Sequence, residues 1–251
     1  MASAAQGLSK RRGNYGVDAP YVPLMLGGIS LGLLTVGVIL ALIGSELWAA
    51  LVIGGVWMLV TTASFLYTTR AGKFAVWARR LRELNLRGDE QVLDIGSGRG
   101  AVMTMIAELV PRGNVVGLDL WKSADQSGNT RDAARRNAEL EGVADRVELV
   151  TGDMTAMPFD ANRFDVVVSA LAIHNIRDPD GRRKAIEEAL RVLKPGGRLL
   201  IADFRATTEY ASRLRELGAS DVEERSLGWR YWYGGPWTAT TLVTATKSNY
   251  T

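Results

Sequence analysis

Cysteine is absent from the 251 residues. Disulfides, thiolate-bound metals and a cysteine nucleophile are therefore excluded. Histidine is nearly absent as well. With His174 alone, a zinc site built from several imidazoles is excluded. No low-complexity tract and no internal repeat stands out. At 47% hydrophobic and 23% charged residues, the chain is neither a disordered polyelectrolyte nor a fibre. Its length suits one large domain, or a medium domain with an accessory.

Charge is also missing from one long region. Between Tyr21 and Thr69 the only charged residue is Glu46. The overall net charge of +3 is unevenly spread: residues 1–20 carry +2, 21–69 carry −1, 70–82 carry +5 and 83–251 carry −3. The basic excess flanks the apolar region and leaves the body mildly acidic. A nucleic-acid enzyme is expected to show the reverse arrangement.

Residues 21–44 and 49–69 form two uncharged runs. Each can cross a hydrocarbon core of about 30 Å at a helical rise of ~1.5 Å per residue. The link Ser45-Glu46-Leu47-Trp48 is short enough only for a tight turn, and Trp48 suits an interface. This predicts a transmembrane hairpin over 21–69. Lys10, Arg11 and Arg12 precede it and the basic segment 70–82 follows it, so both ends are expected on the cytoplasmic side, with 1–20 a basic tail. Gly28 with Gly32, and Ala50 with Gly54, are small-residue pairs that could let the two helices approach or support a homodimer. Over 70–84, Phe74, Trp77, Ala78, Leu81 and Leu84 share one face of an amphipathic helix, opposite Lys73, Arg79, Arg80 and Arg82. Such a helix lies on a membrane surface or packs on the following domain.

From residue 85 short apolar runs alternate with helical patterns, the signature of a parallel sheet with crossover helices. Strands are expected at 91–95, 115–119, 147–150, 164–169 and 198–203. Helices are expected at 101–110, 130–141, 182–193 and 209–217. At the end, 221–233 and 238–246 flank Gly234-Gly235-Pro236 as a hairpin. The first strand runs into Asp94-x-Gly96-x-Gly98-x-Gly100. An acid ahead of the glycines repels a phosphate but suits an ammonium or sulfonium. That distinguishes the turn from a pyrophosphate-binding one.

The acid-led turn resembles the first motif of class I S-adenosylmethionine-dependent methyltransferases, in their small-molecule and quinone branch. Asp119 ending the second strand, Gly152-Asp153-Met154 after the third and Leu193-Lys194-Pro195-Gly196-Gly197 before the fifth match that family in order and spacing. The resemblance covers about 85–205. It implies a Rossmann-like α/β fold with a seven-stranded sheet over 85–251, and S-adenosyl-L-methionine as cofactor. It further implies that Gly96, Gly98 and Gly100 admit the methionine part and that Asp94 lies near its amino group, through water or backbone. Asp119 would accept from the ribose hydroxyls; Asp153 would meet the adenine amino group, with Met154 against the ring. Ser97, Leu120 and Ser169 complete the expected cofactor contacts. The simpler alternative for either acid is a strand end or helix cap.

The fourth strand ends in Ser169-Ala170-Leu171-Ala172-Ile173-His174-Asn175, on the edge where the family places the transferable methyl. The Asn/Asp-Pro-Pro-aromatic motif of many amino-group methyltransferases is missing, as is the acid that helps hold magnesium in catechol-type enzymes. No metal is expected. His174 is a candidate general base for a hydroxyl or thiol, or a positioning group; the alternative is a histidine that merely bonds a loop. The long link 121–129 is a candidate lid with Trp121, or a solvated loop with Asn129 or Thr130 capping the next helix. Trp229, Tyr231, Trp232, Tyr233 and Trp237 could line an acceptor pocket, touch lipid headgroups, or pack across the hairpin. The resulting expectation is a membrane-anchored methyltransferase acting on a hydrophobic small-molecule or lipid-like acceptor. A membrane-tethered protein methyltransferase and a non-catalytic cofactor-binding scaffold are the alternatives, and nucleic acid is not an expected partner.

Overall fold

The two uncharged runs fold as helices α1 (Tyr21–Leu42) and α2 (Trp48–Tyr67), paired antiparallel around the short turn. The computed structural model describes residues 8, 10–122 and 126–249. Small residues form the seam between the helices: Ser30, Gly37 and Gly55 are buried, and Ser30 Oγ donates to the Gly55 carbonyl at 2.8 Å. Large apolar side chains face outward; Leu24 is 76% and Leu42 82% exposed. That inside-out pattern suits helices whose surroundings are as apolar as leucine. Both are long and apolar enough to cross a membrane. The seam differs from the expected one, because a Cβ on Gly28 or Gly32 would meet nothing within 4 Å. Gly37 and Gly55 make the close approach: a Cβ there would lie 2.8 Å from Val52 Cγ2 and 2.7 Å from Leu34 Cγ.

Helix α2 runs through a π-helical turn, Thr68–Gly72, into α3 (Lys73–Glu83) without a break. Phe74, Trp77, Ala78 and Leu81 are buried on the following domain, while the Arg79 side chain is 74% exposed. The amphipathic stripe therefore packs on protein. Lys73, expected on the polar side, is buried because the Asp18 carboxylate meets its ammonium at 2.8 Å.

Strands β1 (Gln91–Ile95), β2 (Asn114–Asp119), β3 (Val147–Thr151), β4 (Phe164–Ala170), β5 (Leu193–Asp203), β6 (Ser220–Ser226) and β7 (Thr241–Thr246) form one seven-stranded sheet. Their order is β3-β2-β1-β4-β5-β7-β6, and β7 alone runs antiparallel to the other six. Helices α4 (Ala101–Leu109), α5 (Arg131–Leu140), α6 (Pro179–Val192) and α7 (Thr207–Glu216) cover its faces. The central strands are apolar on both sides; Val92, Leu93, Val167, Leu199 and Ile201 are fully buried. Chain order reverses between β1 and β4, which opens a crevice beyond their carboxyl ends.

Two expectations fail at the ends of the chain. The predicted strand over 221–233 stops at Ser226, and 227–240 is a broad loop with short turns at Trp229–Tyr231 and Pro236–Thr238. Gly228 and Gly234, at φ +77° and +106°, turn the chain out of strand conformation there. At the other end, residues 10–18 are a strap bound to the domain rather than a solvated tail. Arg11 bonds Glu108 at 2.6 Å, the Tyr15 hydroxyl donates to Glu141 at 2.8 Å, and the Asn14 amide donates to Asn137.

Candidate active site

The turn after β1 owes its shape to glycines. Gly96, Gly98 and Gly100 take φ +69°, +54° and +82°, a region costly for residues with a Cβ. A Cβ on Gly96 would collide with Ala172, and one on Gly98 would approach Gln126 Oε1 to 2.7 Å. Gly100 stands apart as the left-handed cap of α4. The turn forms one wall of a cavity of about 840 Å³ that Asp94, Gly96, Ser97, Gly98, Asp119, Leu120, Asp153, Met154 and His174 all line.

Asp94 is buried, and both its carboxyl oxygens lack a hydrogen-bond partner among the described residues. Burial pushes its pKa up to about 8; the nearby Met103 amide, outside hydrogen-bond geometry, pulls the other way, and the Asp119 charge adds to the rise. Ser97 Oγ, also buried, is unpartnered as well. A buried carboxyl left without partners beside an open glycine cradle fits a cationic group from a ligand.

Asp119 is already engaged. Its Oδ2 accepts from the Gly98 amide at 2.8 Å, and its Oδ1 accepts from the Trp121 amide and from Asn129 Nδ2. The strand-end acid thus shapes the glycine turn while facing the cavity. Asp153 Oδ1 accepts from the amide and hydroxyl of Thr155, both at 2.8 Å, which organises the turn after β3. Neither acid caps a helix; Asp119 ends its strand, Asp153 holds a turn, and both line the cavity.

Three sequence candidates lie elsewhere. Gly100 is at the helix cap. Ser169 is buried between strands and donates to the Ile95 carbonyl at 3.0 Å, so strand alternation turns it away from the cavity lining. Trp121 also lies outside the lining; its indole N–H donates to Thr151 Oγ1 at 2.8 Å. Of the link 121–129, residues 123–125 lie outside the described residues. Thr130 caps α5, accepting from the Ala133 amide.

Sequence reasoning missed the group that organises His174. Its Nδ1 lies 2.8 Å from Oδ1 of Asp203, the fully buried acid at the end of β5. Asp203 also accepts from the amides of Phe204 and His174, with the Tyr210 hydroxyl 3.4 Å away. Burial, with the Asp203 charge behind it, raises the Tyr210 pKa, so this hydroxyl stays a proton donor. The Phe204 ring stands 4.5 Å from the imidazole, centroid to centroid. Nδ1 is close to the Asp203 carboxylate but not aligned with it as a hydrogen-bond donor, so the contact is one of proximity and charge, with the ring lining the cavity. The signal in the sequence was one acid at a strand end, visible only once β4 and β5 lie side by side.

Asp18 was missed too. It lines the cavity and gathers Lys73 Nζ, Thr69 Oγ1, Tyr233 OH and Gln126 Nε2 at 2.8–2.9 Å. Burial works against its charge, but the Lys73 ammonium and these hydroxyls hold its pKa below the usual carboxylate value.

Residues 93–201 match the family described as "Methyltransferase domain". That region carries the glycine turn and the acids Asp119 and Asp153. The chain is 39% identical over 145 residues to a ubiquinone/menaquinone biosynthesis C-methyltransferase of Pseudomonas putida (strain GB-1), which covers 57% of this chain and 53% of that protein. A counterpart in Roseobacter denitrificans is 34% identical over 134 residues, covering 53% of this chain and 50% of that protein. The chain thus spans about half the length of the curated relatives it matches. The fold is similar to that of a methyltransferase from Aquifex aeolicus, with TM-score 0.53 and 22% identity over 68% of this chain and 89% of that one. The observed cradle suits the S-adenosylmethionine that the motifs' resemblance implies. Unpaired Asp94 can meet an ammonium, and the glycine turn leaves room at its backbone.

Proposed function

We propose that the chain is a membrane-anchored methyltransferase acting on a hydrophobic, quinone-like acceptor, with His174 as the proton acceptor. The observation that carries this reading is the His174–Asp203 pair on the cavity that also holds the glycine turn. When bound, S-adenosylmethionine supplies a methyl group already activated on a positively charged sulfur. Asp94, Ser97 and the Gly96–Gly98 backbone would hold its methionine part, and Asp119, Leu120, Asp153 and Met154 its nucleoside.

The chain's own residues then have two tasks, orienting the acceptor and taking a proton. His174, which lines the cavity, would accept a hydroxyl proton from a hydroquinone-type ring. Loss of that proton raises electron density at the neighbouring ring carbon, the atom that would take the methyl; the hydrogen on that carbon would then leave as a proton, restoring the aromatic ring and its hydroxyl. Asp203, fully buried, balances the positive charge this places on the imidazole. Apolar Val102, Met105 and Phe74 on the cavity wall exclude water and suit a hydrophobic acceptor.

The test is direct. Detergent-solubilised protein and methyl-labelled cofactor are incubated with a lipid and quinone extract. Label is expected in the quinone-containing fraction. Label confined to protein bands would replace this reading with that of a tethered protein methyltransferase, and no label with bound cofactor would favour the scaffold.

A further inference from the structure

The aromatic loop 227–240 does not fold over the sheet. It lies along α2, fixed by three ring pairs: Tyr67 with Trp229, Phe65 with Tyr233 and Trp57 with Trp237, at 5.6, 5.1 and 5.7 Å between centroids. Positions 57 to 67 span ~15 Å of helix at ~1.5 Å per residue. The loop therefore reaches well along the apolar hairpin. The Thr68 hydroxyl donates to the Trp232 carbonyl, and the Gly72 backbone abuts the Arg230 carbonyl, so the contact is close.

Its composition and bonding suit lipid. Trp229 and Trp237 are 58% and 59% exposed on its outer side. Part of the backbone is satisfied within the loop: Tyr231 donates to Gly228, Trp232 to Trp229, Gly234 to Trp232, Thr238 to Gly235, Ala239 to Pro236 and Leu227 to Thr240. The Thr238 hydroxyl donates to the Tyr233 carbonyl. Irregular backbone tolerates an apolar setting only when its polar groups are paired in this way. Tryptophan is the side chain favoured where bilayer meets water.

The same cavity that holds Gly96 and His174 is also lined by Tyr21 and Val22 of the first turn of α1, Phe65 of α2, and Tyr233 and Thr238 of the loop. These residues belong to the hairpin and to the segment packed on it.

We propose that loop 227–240 dips into the leaflet beside α2 and, with the near ends of α1 and α2, frames a lateral portal. Through it a long-tailed amphiphile brings its polar ring from the bilayer to His174 while the tail stays in lipid. This deepens the acceptor reading above and rests on it.

The full chain, reconstituted in phosphatidylcholine vesicles, tests the portal in two arms. Because the chain has no cysteine, Trp237→Cys and, as a control on β6, Glu223→Cys each accept a single nitroxide label. Expected is a label at 237 that oxygen relaxes strongly and a water-soluble nickel chelate barely, with the opposite at 223. Equal chelate access at both positions would overturn the proposal. In the second arm Val22→Trp narrows the portal, with cofactor binding by calorimetry confirming a folded site. The kcat/KM ratio for a long-tailed prenylated hydroquinone over its tail-less analogue should fall at least tenfold. An unchanged ratio would also overturn the proposal. Should the wild-type chain methylate neither compound, the acceptor reading falls, and the label arm alone decides the portal.

Discussion

Asp94 shows how a single side chain couples ligand to pH. Its carboxyl is buried and unpaired, with a pKa near 8 in the folded chain against 3.8 for the free side chain. A raised carboxyl pKa means the fold favours the neutral form. This group therefore destabilises the fold progressively as pH rises from about 4 to about 8, and adds nothing further above that. A cation bound beside it favours the ionised form and reverses the penalty. Cofactor binding at pH 7 should thus release a proton, seen as a calorimetric enthalpy that varies with the ionisation enthalpy of the buffer. Affinity should rise toward pH 8 and then level off, and Asp94→Asn should abolish both effects. Buffer-independent binding by the wild type would mean Asp94 does not meet the cation. At the same scale, His174→Gln should lower kcat by about 10²-fold or more, the usual range for a lost proton-transfer group. Asp203→Asn, which leaves the imidazole in place but removes the carboxylate beside its Nδ1, should lower kcat less, with KM little changed. Asp94 was legible in the sequence because chain-local spacing carries it. Asp203 was not, because its meaning depends on a neighbour 29 residues away.

At the scale of elements, glycines separate contacts that matter from motifs that only look as if they should. Gly28 and Gly32 have the spacing of a helix-packing pair, yet their Cβ positions are open. Gly37 and Gly55 lack that spacing and make the seam. Gly37→Val should pry α1 from α2 and lower the melting temperature in detergent, whereas Gly28→Val should leave it unchanged. Gly72 is a sharper case, since its added methyl would run into backbone, the Arg230 carbonyl. Gly72→Ala should displace the aromatic loop and make its tryptophans more accessible to acrylamide, without unfolding the sheet. Trypsin access at Arg230 gives a second readout. The strap makes a related case. Asp18→Asn leaves Lys73 buried without its counter-charge, a change that typically costs about 3 kcal/mol. Asp18 has a lowered pKa, so its contribution is present above about pH 4 and fades as pH falls further. The melting difference between wild type and Asp18→Asn should shrink at low pH. Strands and helices of the catalytic body were legible because hydrophobic period and turn residues are local. The strap and the loop were not, because their partners, Thr69 and Lys73 for Asp18 and Trp57 for Trp237, are far along the chain.

The whole molecule joins a polar α/β body to an apolar hairpin through one continuous helix, the Asp18–Lys73 ion pair and the aromatic loop along α2. The N-terminal basic residues do not all act as topological signals, since Arg11 is buried in bonds to Glu108 and Glu141. Lys10 and Arg12 remain exposed, and the exposed guanidinium of Arg79 stands beyond the second span. Positive charge still flanks both ends of the hairpin, and the strap binds the N-terminal flank to the same domain that follows α3. A membrane crossed by this hairpin would therefore have both flanks on one side, whichever way the hairpin inserted. That constraint is stronger than counting charges, because docking of 10–18 onto α4 and α5 is incompatible with opposite placement. With positive residues held to the cytoplasm, the turn at Glu46 should face outward. An impermeant maleimide applied to right-side-out vesicles should label Glu46→Cys and spare Glu223→Cys. Labelling of both, in vesicles shown to be sealed, would mean that the hairpin does not cross, and that its exposed leucines are covered by something other than lipid.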